Sequence, residues 1–517
     1  MNTLRLLVSS LALAASALAA TPPRPNVIIV LTDDLGYGDP RVYNRDSKIP
    51  TPGMDRLAAE GVRFTDAHTP SAVCTPTRYG LLTGRYCWRT RLKRGVLDGF
   101  SPPLIEPDRP TIASLLKTQG YRTACFGKWH LGMQWTRRNG EPETSDRVEP
   151  PATGFRSGEN IDFSQPVRGG PRDVGFDYYF GISASLDMPP YAWIENDRCL
   201  VGASTIAPEH RELFLSAGRG VAAPDFKLDA VLPTLKARIV AWIGEQARTR
   251  AGQPFFLYLP LNSPHLPVVP SAAFAGKSGA GAYADFVMET DDCVSGIVEA
   301  LRQAGTLDNT LLVFTSDNGG LWHAWDPVET DDVRSYKPTP RGQFNREHGH
   351  QSNGPLRGTK ADIFEGGHRV PLIVSWPARI KPGAVSAVPV ELTDLFATIA
   401  EATGSKLPAG AAPDSFSFLG ALTGAGVPTT RPFLVHHSIR GVFAVREGDW
   451  KYAEERGSGG FSSPNAVKPA AGEATAQLYN LARDPQETRN VFADEPARVA
   501  HFEQLLAAVK RGSGLRP

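Results

Sequence analysis

Asn26-Val27-Ile28-Ile29-Val30-Leu31-Thr32 runs directly into Asp33-Asp34. A short apolar run rich in β-branched residues, without polar alternation, predicts a strand buried on both faces, as in a parallel sheet. Similar runs recur at 122–126, 255–259, 310–315 and 371–375, with a shorter one at 62–65. Between them lie helical patterns at 51–60, 76–82, 111–118, 230–246, 283–302 and 393–403. Alternating helices and apolar strands predict an α/β domain around a mostly parallel sheet. Ligands of such sheets bind beyond the carboxyl ends of the strands. Polar clusters stand there: Asp33-Asp34, then Lys128 and His130, then His265, then Asp317-Asn318. The spacing therefore predicts four sequence-distant clusters meeting on one edge.

The chain of 517 residues is long enough for more than one domain, and its formal net charge of +1 gives no electrostatic case for nucleic acid or a membrane surface. Residues 1–19 read as a secretory signal: a basic start, an apolar stretch over 6–18 and a small-x-small site at Ala17-Leu18-Ala19. The expected location is periplasmic or secreted, without a lipid or membrane anchor. Five scattered cysteines, Cys74, Cys87, Cys125, Cys199 and Cys293, fit no zinc spacing. Their odd number leaves one unpaired, with Cys74 the candidate, and the pairing of the others open. A shift to Pro, Gly, Ala and Ser over 407–432 separates a main domain, 20–425, from a smaller α+β one, 426–517. The latter shows strand-like runs at 433–436, 441–446, 451–453 and 477–481, and a helix at 497–510.

Adjacent carboxylates at a strand end repel unless a positive charge lies between them. Asp33, Asp34 and Asp317 with the Asn318 amide form a hard-oxygen set suited to calcium or magnesium. Either pair alone also reads as a turn or helix cap. In Ser71-Ala72-Val73-Cys74-Thr75-Pro76-Thr77-Arg78, Cys74 lies just before the predicted helix start, where N–H groups and the dipole favour negative charge. Arg78 lies one turn on and can reach back to the same place. By itself this is a reactive thiol or a buried cysteine.

Cys74-Thr75-Pro76-Thr77-Arg78, continuing to Leu81-Leu82-Thr83-Gly84-Arg85, resembles the maturation motif of the formylglycine-dependent (type I) sulfatases, arylsulfatase-like members of the alkaline-phosphatase-like superfamily. Further segments agree in order: Asp33 to Gly38, Gly127 to Gly132, Gly175 to Asp187, Ser263-Pro264-His265, Ser316 to Gly320, Gly354 to Pro371 and Leu478 to Glu487. The resemblance implies a large α/β/α domain with a smaller C-terminal antiparallel sheet. It implies one calcium ion, with magnesium the lesser choice, held by Asp33, Asp34, Asp317, Asn318 and a Cys74 converted to formylglycine. It implies that the hydrated aldehyde attacks sulfur, with Arg78 and Lys128 steadying its oxygens and Asp317 as base. His130 then deprotonates the second hydroxyl to release sulfate, His265 protonates the leaving alcohol, and Lys360 and Ser185, with Lys128 and His265, bind the sulfate. A transient maturing enzyme acting on the unfolded segment around Cys74 is the implied partner.

For substrate, the polar and aromatic stretch 321–353, with Trp322, His323, Trp325, Arg341, Arg346, His348 and His350, is expected to line the pocket mouth. Tyr191 and Trp193 are lesser candidates. Export together with that loop favours a sulfated carbohydrate over a small aryl sulfate. The competing readings are a phosphate or phosphonate ester hydrolase on the same fold, a glycan-binding protein with a dead site, and a structural module.

Overall fold

The computed structural model describes residues 24–145, 156–202, 204–324, 339–424, 431–512 and 514–516. The expected leader, 1–19, and the expected boundary at 425–426 lie outside the described residues or at their edge.

Strand β1 (Asn26–Thr32) is buried at every position. Its side chains alternate between the two faces: Val27, Ile29 and Leu31 enter one apolar cluster, Ile28 and Val30 the other. The central sheet adds β2 (Val62–Phe64), β3 (Arg122–Lys128), β4 (Tyr178–Ile182), β5 (Ile194–Glu195), β6 (Arg198–Cys199), β7 (Phe255–Pro260), β8 (Thr310–Ser316), β9 (Leu372–Ser375) and β10 (Ala384–Ser386). Their order is β10-β2-β9-β8-β1-β7-β3-β4-β5-β6. The stretch β8-β1-β7-β3-β4 is wholly parallel. β9 runs antiparallel to β8, and β5 to β4.

The helices are α1 (Pro52–Ala59), α2 (Cys74–Thr83), α3 (Ile112–Thr118), α4 (Val231–Thr249), α5 (Gly281–Gln303), α6 (Pro340–Glu347), α7 (Glu365–His368) and α8 (Leu395–Ala402). Leu81 and Leu82 of α2, Leu116 of α3 and Phe396 of α8 pack on one face of the sheet. Leu57 of α1, Ile239 of α4 and Ile297 of α5 pack on the other. This is the expected α/β/α arrangement. Covering both faces is why the central strands carry no polar alternation.

Element ends moved by a residue or two, with one consequence for the site. Helix α2 starts at Cys74 itself, after an extended Val73. Pro76 lacks an N–H and is tolerated anywhere in a first turn, so the helix begins ahead of it. The 393–403 helix enters through a 3-10 turn, Leu392–Asp394, before α8. In the Pro- and Gly-rich stretch, Phe418 and Leu422 are buried, and the Phe418 ring meets Phe64 at 5.4 Å.

A second, antiparallel sheet is formed by β11 (Leu434–His437), β12 (Phe443–Glu447), β13 (Trp450–Ala453) and β14 (Gln477–Asn480). Helix α9 (Pro496–Arg511) covers one face, with Phe502 stacked on Tyr452. The other face carries Ala444, Ala453 and Tyr479 against Ile363 and Phe364. The small sheet thus backs the segment that carries Lys360. All five cysteines are free thiols. Among the described residues, no helix is long and apolar enough to cross a membrane.

Candidate active site

The adjacent strands β8, β1, β7 and β3 deliver Asp317 and Asn318, Asp33 and Asp34, His265, and Lys128 and His130 to one edge of the sheet. Backbone bonds join these strand ends: Asp33 N–H donates to Ser263 O at 3.0 Å, and Asp317 N–H to Thr32 O at 3.1 Å. Asp34 and His130 adopt left-handed backbone conformations, φ 68° and 55°. That is costly for residues with a Cβ, and it persists where the surroundings over-determine it. Gly319 is needed for a different reason: a Cβ there would stand 1.8 Å from Gly366 O, where α7 crosses the strand end.

The charges interlock. Arg78, buried completely, donates through Nε and Nη2 to Asp317 Oδ2 at 3.0 and 2.7 Å and through Nη1 to Lys128 O at 2.9 Å. Lys128 Nζ lies 2.7 Å from Asp33 Oδ2, and Lys360 Nζ lies 2.9 Å from Asp34. Three buried carboxylates therefore face three buried cations. Burial raises the Asp34 carboxyl, but Lys360, His265 and Asn318 outweigh it and hold the group at about 2. Burial and the neighbouring Asp33 lift Asp317 to about 6 despite Arg78 and Lys128. That rise reflects burial first and crowded negative charge second. Burial lowers Lys360, but Asp34, Cys74 and Asp33 together outweigh it and raise the group.

Two buried oxygens lack a hydrogen bond: Asp33 Oδ1, with Arg78 Nη2 3.6 Å away, and Asn318 Oδ1. Asn318 spends its amide nitrogen on Asp34 Oδ1 at 2.7 Å and Gly319 O at 3.0 Å, which leaves its oxygen free. Unpartnered buried oxygens among carboxylates fit a hard divalent cation. Asp33, Asp34 and His265 also form a compact group able to hold a metal ion. The oxygen atoms of Asp33, Asp34, Asp317 and Asn318 match calcium or magnesium better than a softer metal.

Cys74, at the first position of α2, lines a cavity of about 1280 Å³ with His130, Ser185, His265 and Lys360. Burial pushes its thiol up to about 11 against the pull of Lys128 and Lys360, so near neutral pH the sulfur stays protonated. The Ser185 hydroxyl is buried and unpartnered. His130 Nε2 contacts Leu97 O at 2.6 Å, which fixes the proton on Nε2 and leaves Nδ1 as a buried, unpartnered acceptor. Burial, then Lys128 and Arg78, hold the ring well below the usual imidazole range. His265 Nδ1 contacts Leu266 O at 2.6 Å, and its Nε2 lies 3.6 Å from Asp34. Burial and then Lys360 lower this ring to about 4.

The loop expectation needs correction. Of the residues named for 321–353, Arg341 lines the cavity; Leu321, not singled out, does too. Trp322 is fully buried, stacked on Phe214 at 5.1 Å. His323 bonds Leu356 O, and His350 bonds Asp39 at 2.7 Å. Arg346 on α6 and His348 just after it are exposed, and Trp325 lies outside the described residues. Tyr191 donates to Gly218 O, and Trp193 stacks on Phe180. An aromatic in a polar segment is as readily a core plug as a sugar platform, and packing decided which. The cavity wall comes instead from Arg137, Arg156, Asp187 and Arg219. Asp187 fell within a matched segment but carried no role, and no local spacing marks the arginines.

A family model described as Sulfatase matches residues 25–405. The chain belongs to the sulfatase family and is a sulfuric ester hydrolase. It is 32% identical over 524 aligned residues to an N-acetylgalactosamine-6-O-sulfatase of Bacteroides thetaiotaomicron, covering 94% of this chain and 93% of that protein. It is 34% identical to arylsulfatase A of Bos taurus, covering 97% and 89%. A solved structure, described under the metabolism of multiple glycosaminoglycans by Bacteroides thetaiotaomicron, superposes with a TM-score of 0.78 at 31% identity. That match covers 95% of this chain and 100% of the other.

Proposed function

We propose that Cys74 is converted to formylglycine and that the chain uses it, with one bound calcium ion, to remove sulfate from sulfated carbohydrates. The observation that carries this reading is the juxtaposition at Cys74: a helix N-terminus, three carboxylates and a free amide oxygen on one side, and Lys128, Lys360 and Arg78 interleaved with them. A buried thiol held protonated is a poor nucleophile, which supports modification over direct use of sulfur. The hydrated aldehyde supplies one hydroxyl to attack sulfur and a second whose deprotonation expels sulfate.

Asp33, Asp34, Asp317 and Asn318 would hold the calcium, with the modified Cys74 as a further oxygen ligand; magnesium fits the same donors less well. The ion supplies positive charge against the anionic ester. Arg78 and Lys128 stabilise the oxygens on residue 74 as negative charge develops. Asp317, held by Arg78 at 2.7 Å, takes a proton in the attack step. His130 Nδ1, free and unprotonated, accepts the proton that triggers sulfate release. Lys360 and the unpartnered Ser185 hydroxyl hold sulfate oxygens. His265 is neutral at rest, and an anionic ester beside Nε2 raises its affinity for the proton it passes to the leaving alcohol. The arginine-rich wall and the carbohydrate named for the bacterial relative support a sugar substrate. Cys74 is 2% exposed, so a maturing enzyme would act before folding, in keeping with an exported protein.

The mass of the tryptic peptide Phe64 to Arg78, from protein co-produced with a maturing enzyme, tests the reading. Aldehyde in place of thiol is expected. An intact thiol, with the maturing enzyme verified on a control sequence, would sink the formylglycine mechanism.

A further inference from the structure

Beyond the sulfate-binding end, the cavity wall is crowded with guanidinium groups, and most of them are already spoken for. Arg137 pairs with Glu143 at 2.9 Å, Arg219 with Glu159 at 2.6 Å, and Arg211 with Glu209 at 2.9 Å. Arg156 pairs with Asp98 and Glu143. Arg341 differs. It lines the same cavity as Cys74, His265 and Lys360, yet no carboxylate among the described residues lies within ion-pair distance of it. It is half-buried, and its Nε is enclosed without any hydrogen-bond partner. The backbone that presents it is fixed: Thr339 caps α6 by accepting from Gly342 N–H, and Pro340 sets the first turn.

A guanidinium withdrawn from water without a partner is costly and is retained where a ligand completes it. The ester under attack does not require Arg341, because Lys360, Lys128 and Ser185 already stand at Cys74. Asp187 lines the same cavity near enough for its charge to act on Arg341, and its Oδ1 is buried without a hydrogen bond, an acceptor for a sugar hydroxyl or amide N–H. Building on the sulfated-carbohydrate reading, we infer that Arg341 is a specificity residue that binds a second anionic group of the substrate, so that the preferred substrate carries a carboxylate or another sulfate besides the one removed. A planar, forked donor suits both groups, since each offers paired oxygens.

The test uses calcium-loaded protein with residue 74 matured. Turnover is compared on a hexosamine 6-sulfate, on the same sugar bearing a second sulfate, and on the same sugar linked to a uronic acid. Wild type should prefer at least one doubly anionic substrate, and whichever it prefers identifies the anion. Arg341→Gln should shrink that preference by about 10- to 100-fold in kcat/KM, mainly through KM, and Arg341→Lys should restore part of it. Equal losses on all three substrates would assign Arg341 to the scissile sulfate or to the fold and overturn the inference. Absence of any wild-type preference for a second anion would overturn it as well. Turnover of an aryl sulfate but of no sulfated sugar would instead remove the carbohydrate reading, and this inference with it.

Discussion

Protonation of a histidine stack between the two sheets should control stability below neutral pH. His368 of α7 and His436 of β11 lie parallel, with ring centroids 3.9 Å apart and planes 11° apart, and His68 completes the cluster. All three are buried. His436 Nδ1–H donates to Thr69 O at 3.0 Å, and its Nε2 has no partner. His368 Nε2 faces the Lys451 ammonium at 2.9 Å, so it must accept. Burial holds both His368 and His436 well below the ordinary imidazole range. For His368 the neighbouring His436 and Lys451 add to this, and for His436 it is His68 and Lys451. The unfolded chain takes up protons near pH 6.5 while the folded rings stay neutral. Stability from these groups is therefore present above pH 6.5 and is lost as pH falls below it. Between pH 7.5 and 5.5 each ring should cost about 1.4 kcal/mol, and the pair about 3 kcal/mol. The perturbation is His436→Asn, whose amide can still donate to Thr69 O but cannot titrate. Urea unfolding of wild type and variant at a series of pH values gives the double difference. The variant should start less stable at pH 7.5 yet lose about 1.4 kcal/mol less on acidification. An unchanged pH slope would refute the argument. So would an NMR titration that put His436 of the native protein at the ordinary imidazole value.

Chelation of divalent metal should lower activity by about 100-fold or more, and added calcium should restore it better than magnesium, as followed by sulfate release. Replacing His130 with Ala should lower kcat by about 100-fold or more and trap the sulfated enzyme, visible by intact mass. Lys451→Ala should destabilise the protein by about 3–5 kcal/mol in chemical denaturation, because Lys451 lies between buried Glu365 and Glu487 at 3.1 and 2.8 Å; its loss strips that cation from Glu487 and leaves Glu365 to Arg369 at 3.4 Å.

Much of the architecture was legible because it rests on local rules. The run Asn26–Thr32 reads as a doubly buried strand from hydrophobicity alone, and a polar pair at its end is a site candidate because strand ends face the crevice. The four small strands and α9 fall close to their predicted places, since each carries an apolar stripe of the right period. Cys74 entering α2 was less legible, because helix ends depend on caps and Val73 supplies no side-chain cap. The stretch 321–353 misled because composition cannot tell a stacked core tryptophan from one that faces a ligand. Trp322 is held by Phe214 and Tyr283, residues over thirty positions away or more.

By itself the sequence determined the fold class, the strand ends that carry the polar clusters and a cysteine one turn from Arg78. Each is a matter of periodicity or of spacing within a few residues. Tertiary structure alone decided which charges meet: Arg78 on Asp317, Lys128 on Asp33, Lys360 on Asp34, and Arg341 in ion-pair contact with no carboxylate among the described residues. These pairings span tens to hundreds of residues, and their strength depends on burial and distance. Both quantities exist only once the chain has closed around them.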